Sequence, residues 1–373
     1  MAEPFRKEIA PSAETVDQKG MGMRVAVIVH GPEAVDNGLA ARVLEKASAL
    51  GHVRAVVGGT TAVAAVIDAG LEGRIDMSER TLPSEAIGRE VHRSDLVLLV
   101  NQGKDRGSSL AFGRLVMSKV NVGQVPVVQV EEGLSIIWSG DEDALRRAGP
   151  FLDEEVLDQR GMAVPAAPEG ARTISGVRPG ENIWVNGHVI GRAEGTEVSL
   201  SQAPDGTLLA KGVRLKPTGI QRLGGFDLRT AIVRSGQIRR TRAQPRSLPA
   251  GGKAVYLIDH CAERVLFLCR DAAYVVTVGD DTSKIASSLL YRLGIPILAI
   301  TDGDEDGISD ERLLYPGSHV FRLVPGTDDL VGAEIASSYF EEGRGSSAPA
   351  KIEEMASIIR AACGEWLLWE ERS

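Results

Sequence analysis

Val275-Val276-Thr277-Val278-Gly279-Asp280-Asp281-Thr282 is followed closely by Ile297-Leu298-Ala299-Ile300-Thr301-Asp302-Gly303-Asp304-Glu305-Asp306-Gly307, and these two stretches decide the fold. Each is a short, β-branched apolar run that ends in carboxylates. Between them Ile285, Ala286, Leu289, Leu290 and Leu293 recur at the spacing of one helix face. The reading is strand, helix, strand, which implies parallel pairing through a right-handed crossover. Both acidic groups then lie at the carboxyl ends of neighbouring strands, where open α/β sheets place their ligands.

The second cluster carries the sharper chemistry. In an extended segment Asp302 and Asp304 point to the same side. Two carboxylates so close repel each other unless a cation or proton lies between them. Mg²⁺ suits such a pair: it binds through one or two carboxylates, keeps several waters and reaches substrate phosphates. The plainer alternative is a solvated acidic turn, with Gly303 and Gly307 permitting a tight backbone. Asp302-x-Asp304-x-Asp306-Gly307 also matches the first half of an EF-hand loop. The twelfth position, however, is Leu313 instead of Glu, and the preceding segment reads as a strand, so the EF-hand is rejected.

Working outward, 373 residues at 43% hydrophobic and 25% charged suffice for two or three domains with proper cores. A net charge of -9 argues against a generic polyanion binder. Cys261, Cys269 and Cys363 form neither a metal-ligand spacing nor an even disulfide set, so a reducing cytoplasm is expected. No apolar run reaches the roughly 18 residues of a membrane span. Residues 1–22 lack an apolar signal core and read as a disordered tail. Aromatic residues make up only 4%, which argues against a large base-stacking surface.

Residues 23–150 alternate strand and helix signals, as in a Rossmann-like parallel sheet. Strands are expected at 23–29, 53–57, 74–77, 95–100 and 125–130. His30–Glu33, Gly58–Thr61 and Asn101–Lys104 follow three of these strands and should share one rim. Gly59, Thr60 and Thr61 offer backbone N–H groups at a helix start, an anion site, and Lys104 could add positive charge. The competing reading is a set of plain turns with Thr60 or Thr61 as a helix cap. His30 could be a base or ligand, against a purely structural role. Neither the dinucleotide fingerprint nor the P-loop is present.

Residues 151–172 read as a connector and 173–250 as a small antiparallel β module. Its clearest sign is the hairpin around Asn186-Gly187. Arg234, Arg239, Arg240, Arg242 and Arg246 read as a solvated basic linker, or else as a phosphate-contacting run. Residues 253–373 form the last α/β unit. Thr327-Asp328-Asp329 starts a helix with Thr or Asp as its cap, an amphipathic helix follows around Ile352–Ala362, and Trp366 and Trp369 read as core.

Two resemblances rest on these residues. Thr301-Asp302-Gly303-Asp304-Glu305-Asp306-Gly307 and Val278-Gly279-Asp280-Asp281-Thr282-Ser283 are similar to the acidic segment and glycine turn of the Toprim domain of primases and topoisomerases. That resemblance implies Mg²⁺ at Asp280, Asp302 and Asp304. Toprim proteins close their first strand with a catalytic Glu-Gly; here Asp259-His260 stands in that place, which weakens the catalytic implication more than the metal one. Almost the whole chain also resembles an uncharacterised archaeal family found mostly in methanogens, through Val29-His30-Gly31-Pro32-Glu33, Asn182-Ile183-Trp184-Val185-Asn186-Gly187 and Val278–Thr282. This second likeness implies a domain layout and no reaction.

The leading expectation is a Mg²⁺-dependent protein acting on or binding a phosphate ester or nucleotide. Asp302, Asp304 and Asp280 would hold the ion, with Asp259 as acid/base and His260 as its substitute. A non-catalytic nucleotide sensor or scaffold is the second reading, and nucleic-acid binding through the arginine run is the third. No membrane partner is expected, and the sequence leaves the oligomeric state open.

Overall fold

The computed structural model describes residues 22–59, 62–79, 81–162, 171–229, 231–236, 239, 241, 243–249, 252–259, 269, 271–303 and 313–373. All but Gly22 of the expected tail lies outside them. The fold is mixed α/β: two sheets with parallel cores are joined by a smaller antiparallel module. No helix among the described residues is long and apolar enough to cross a membrane.

The amino-terminal sheet comprises β1 (Met23–Val29), β2 (Gly51–Val57), β3 (Leu96–Val100), β4 (Val127–Glu131), β5 (Leu134–Ser139) and β6 (Glu155–Asp158). Their order is β2-β1-β3-β4-β5-β6. β1 to β4 are parallel, β5 returns antiparallel to β4, and β6 runs parallel to β5. Near-continuous apolar runs in β1 and β3 match burial on both faces. The strand expected at 74–77 is reduced to one bridge, Val56 to Asp76. β5 and β6 were not expected, and β6 lies within the segment read as a connector. Glu131 breaks the apolar pattern there, yet it is buried and accepts from Asn101 Nδ2 at 2.8 Å, the Gly103 N–H at 2.7 Å, Ser109 Oγ at 2.6 Å and Gln129 Nε2 at 2.6 Å. A carboxylate so fully hydrogen-bonded can sit inside a core that its charge alone would forbid.

The middle module holds two small antiparallel sheets. One orders β7 (Ala171–Ile174), β10 (Val198–Gln202) and β11 (Leu208–Lys211) as β11-β10-β7. The other orders β8 (Asn182–Val185), β9 (His188–Ala193), β12 (Val213–Leu215) and β13 (Val233–Ser235) as β12-β9-β8-β13. Asn186 and Gly187 both take positive φ, 47° and 84°, as a two-residue hairpin turn between β8 and β9 requires.

The carboxyl-terminal sheet contains β14 (Ala254–Asp259), β15 (Ala272–Val278), β16 (Ile297–Thr301), β17 (His319–Leu323), β18 (Phe340–Glu341), β19 (Arg344–Gly345) and β20 (Leu367–Arg372). Their order is β18-β19-β14-β15-β16-β17-β20. β14 to β17 are parallel neighbours, as the opening stretches predict. Helix Asp280–Arg292 crosses from β15 to β16, and helix Ile352–Cys363 packs the other face. β20 pairs antiparallel with β17 and leaves Trp369 45% exposed, so that residue is not core. Trp366 does pack against the core cluster.

Glu370 on β20 accepts from Arg360 Nε at 2.7 Å and lies 2.7 Å from His319 Nδ1. The Arg360 guanidinium holds its carboxyl down at about 2, against an ordinary 4.5. A depressed acid stabilises the fold above its unfolded pKa, and that contribution fades as pH falls through the folded value. Glu370→Gln should therefore flatten the melting-temperature profile between about pH 4.5 and 2, read by thermal scans across acid buffers.

The three parts are bound together by ion pairs around Asp68. Helix Ala62–Asp68 ends in this fully buried carboxylate. Arg292 reaches it with Nη2 at 2.8 Å and Nε at 2.9 Å. Arg239 reaches it with Nη1 at 2.7 Å and grips Asp36 with Nη2 at 2.6 Å. Arg246 continues to Glu72 at 3.1 Å, and Arg234 lies 4.5 Å over the Trp184 ring. The described arginines of the basic run thus form a strap, turned inward at Arg239 and half exposed at Arg246. The run is anchored to the folded parts instead of being wholly solvated, which corrects the first sequence reading; Arg240 and Arg242 lie outside the described residues. Apolar packing follows the same line: one hydrophobic cluster joins Val66 and Ile67 to Ala286, Leu290 and Leu293, and Trp184 packs on Ile285.

Candidate metal centre

β15 ends at Val278, and Gly279, at φ 93°, turns the chain into helix Asp280–Arg292. A bond between Thr277 Oγ1 and Ser283 Oγ at 2.8 Å holds the first turn of that helix on its strand. Asp280 therefore stands at the carboxyl edge of the sheet, in the helix's first turn, where a negative charge is favoured. Its Oδ2 accepts the N–H groups of Asp302 at 3.0 Å and Gly303 at 2.7 Å, and its Oδ1 accepts from Arg322 Nη1 at 2.6 Å. One side chain thereby fixes the end of β16 and the end of β17.

Asp302 is 5% exposed, and its Oδ2 accepts the N–H of Gly326, in the turn before helix Asp328–Tyr339. That helix is seated by Gly332: a Cβ there would come within 2.7 Å of Val278 Cγ1, so only glycine allows the close approach to β15. Asp328 lies one turn earlier on the same helical face, above the strand ends. It is also 5% exposed. The outcome is a trio, Asp280, Asp302 and Asp328, each offering a carboxylate oxygen within 4.8 Å of the others.

Oxygens on opposite sides of Mg²⁺ sit about 4.2 Å apart, and those of Ca²⁺ up to about 5 Å. The trio therefore fits a divalent ion, held in the Mg²⁺ case partly through water. Arg322 Nη1 pairs with Asp280 Oδ1 at 2.6 Å beside the trio. Asp280 accepts three hydrogen bonds and so organises the site, while Asp328 Oδ1 accepts the N–H of Asp329 at 2.8 Å. Beside the trio a cleft of about 50 Å³ is lined by Asp280, Ser283, Lys284, Arg322 and Trp369.

Of the residues expected at the metal, Asp280 and Asp302 come together, and Asp304 lies outside the described residues, as does His260. Asp259 ends β14 and is exposed. β15 separates it from β16, and it is not part of the trio. His30, Gly59 and Lys104 belong to the other sheet; Thr60 and Thr61 lie outside the described residues. Lys104 Nζ is engaged by Glu181 Oε2 at 2.6 Å and Ser235 Oγ at 2.9 Å, which ties the sheet to the β module. Its ammonium is thus already matched by a carboxylate. His30 sits at the rim with Nδ1 2.6 Å from the Gly58 carbonyl. Asp328 and Arg322 were missed as site residues. The signal for Asp328 was present, because Gly279-Asp280 after β15 and Gly326-Thr327-Asp328 after β17 each open a helix beyond a strand's carboxyl end.

Fold and cluster together define an α/β protein with a buried carboxylate trio at the carboxyl edge of a parallel sheet. The chain belongs to the family described as "Uncharacterized protein conserved in archaea (DUF2117)", which it matches over residues 27–343. It is 34% identical over 329 residues to "Uncharacterized protein MJ0065" of Methanocaldococcus jannaschii, across 83% of this chain and 90% of that protein. No solved structure matches it.

Proposed function

We infer that the chain is a cytoplasmic, Mg²⁺-dependent protein that binds or acts on a phosphate ester or nucleotide. The observation that carries this reading is the convergence of Asp280, Asp302 and Asp328, three buried carboxylates, at the ligand-bearing edge of the sheet. Asp302 and Asp328 would hold the ion and Asp280 would orient them. The ion would polarise a phosphoryl oxygen, while Arg322 and Lys284, which line the adjoining cleft, would neutralise the phosphate. The acidic segment's likeness to Toprim supports the same chemistry. Asp259 is exposed and not one of the trio, which keeps a non-catalytic nucleotide sensor as the second reading.

Incubation with nucleoside mono-, di- and triphosphates, with and without Mg²⁺, separates these outcomes. Mg²⁺-dependent release of phosphate selects the enzyme, and Mg²⁺-dependent binding without product selects the sensor. The absence of any Mg²⁺-dependent binding or turnover that Asp302→Asn removes contradicts the reading. With Mg²⁺ at about 100 times its Kd, stability should rise by about 2.7 kcal/mol, and Asp302→Asn should abolish that rise.

A further inference from the structure

We propose that the crevice between the carboxyl ends of β1 and β3 is a second binding site, which takes a vicinal diol such as the ribose of a nucleoside through His30 Nε2 and Asn101 Oδ1. The sheet order sets its place. From β1 the chain moves to β2 on one side, and β3 then joins β1 on the other, so the topological switch point lies between β1 and β3. Open α/β sheets take their ligands in that crevice. Val29 pairs with Val100, so His30 and Asn101 emerge side by side from adjacent parallel strands, and the His30 N–H donates to the Val100 carbonyl at 2.8 Å.

Both side chains have their orientation chemically fixed. His30 Nδ1 lies 2.6 Å from the Gly58 carbonyl, which can only accept, so Nδ1 carries the proton. The ring is stacked on Phe112 at 4.5 Å, and burial pushes its pKa down, which keeps it neutral. A neutral ring protonated at Nδ1 presents an acceptor lone pair at Nε2. Asn101 Nδ2 donates to Glu131 Oε1, and because a carboxylate only accepts, the amide cannot flip. Its Oδ1 is therefore the atom left to accept, on a side chain that is 6% exposed. Among the described residues neither Nε2 nor Oδ1 receives a hydrogen bond.

Two glycines flank the pair. Gly31 has φ 78°, and a Cβ on it would lie 3.7 Å from Asn101 Oδ1; a Cβ on Gly59 would lie 3.0 Å from His30 Nδ1. The Gly59 N–H donates to the Thr81 carbonyl at 2.8 Å, and among the described residues the buried Thr81 hydroxyl has no hydrogen-bond partner. The β module closes this rim through the Lys104 contacts to Glu181 and Ser235. Two neutral acceptors side by side repel the oxygens of a phosphate or carboxylate and attract donors. Adjacent hydroxyl groups supply two O–H donors, one for each acceptor. Unlike the acidic trio, these two acceptors carry no net charge, and the two sites lie on different sheets.

The test uses the full chain with adenosine and uridine, which carry one diol on two different bases, followed by ¹⁵N-histidine NMR and thermal shift. Both nucleosides should move the His30 Nε2 resonance saturably and raise the melting temperature. Their 2′-deoxy counterparts should bind about tenfold more weakly, the loss of one hydrogen bond. His30→Phe, which keeps a ring on Phe112, should abolish the response, whereas Asp302→Asn and Asp328→Asn should leave it intact. No saturable response to either nucleoside at millimolar concentration overturns the proposal, as does equal binding of the deoxynucleosides or undiminished binding by His30→Phe. The deoxynucleoside comparison is made on the wild-type chain and so does not depend on a variant folding.

Discussion

Asp68→Ala is expected to destabilise the protein by about 3–5 kcal/mol, the range for removing one partner of a buried ion pair. Asp68 is fully buried and Arg292 only 1% exposed, so the substitution leaves a guanidinium in the interior without its carboxylate. Arg239 loses the same partner and keeps Asp36. Because Asp68 sits where the amino-terminal sheet, the strap and helix Asp280–Arg292 meet, urea unfolding should also lose cooperativity. Arg292→Met in the same chain should recover part of the loss, since an apolar side chain of similar length carries no buried charge. A single sharp transition at the wild-type midpoint would show that Asp68 does not hold the parts together.

Asp280→Ala should have the second large effect, about 2–4 kcal/mol, together with loss of metal binding. The substitution frees the N–H groups of Asp302 and Gly303 and strips Arg322 of its carboxylate, so the loop that carries Asp302 loses its anchor. Asp302→Asn should differ in kind. It removes a metal ligand yet keeps an oxygen for the Gly326 N–H, so the metal response should vanish at a stability cost of about 1 kcal/mol or less. Thermal scans with and without Mg²⁺ separate the two roles. Equal destabilisation by both variants would mean that Asp280 organises nothing beyond its own charge.

Much of this architecture was legible in the residues. Apolar runs of strand length alternating with helical spacing fixed the parallel cores, and Asn186-Gly187 fixed a hairpin, because local chemistry decides those features. The parts that escaped depend on partners far away in the chain. β5 and β6 were hidden because Glu131 reads as a surface residue until its four hydrogen-bond donors are known. The arginine strap read as a linker because its acids, Asp36 and Asp68, lie more than a hundred residues earlier. Asp328 read as a helix cap because nothing local shows that Gly332 brings its helix against β15. Asp280 and Asp302 were readable because each directly follows a strand or its closing glycine, so position alone brought them to one edge.

The central claim is that Asp302 and Asp328 grip one divalent ion. Titration of the metal-free chain with Mn²⁺, followed by the loss of the free-ion electron paramagnetic resonance signal, tests it most directly. The account predicts one saturable site per chain that Mg²⁺ competes for and that both Asp302→Asn and Asp328→Asn abolish. Stoichiometric Mn²⁺ binding unchanged in those two variants, or no binding by the wild-type chain, would contradict it.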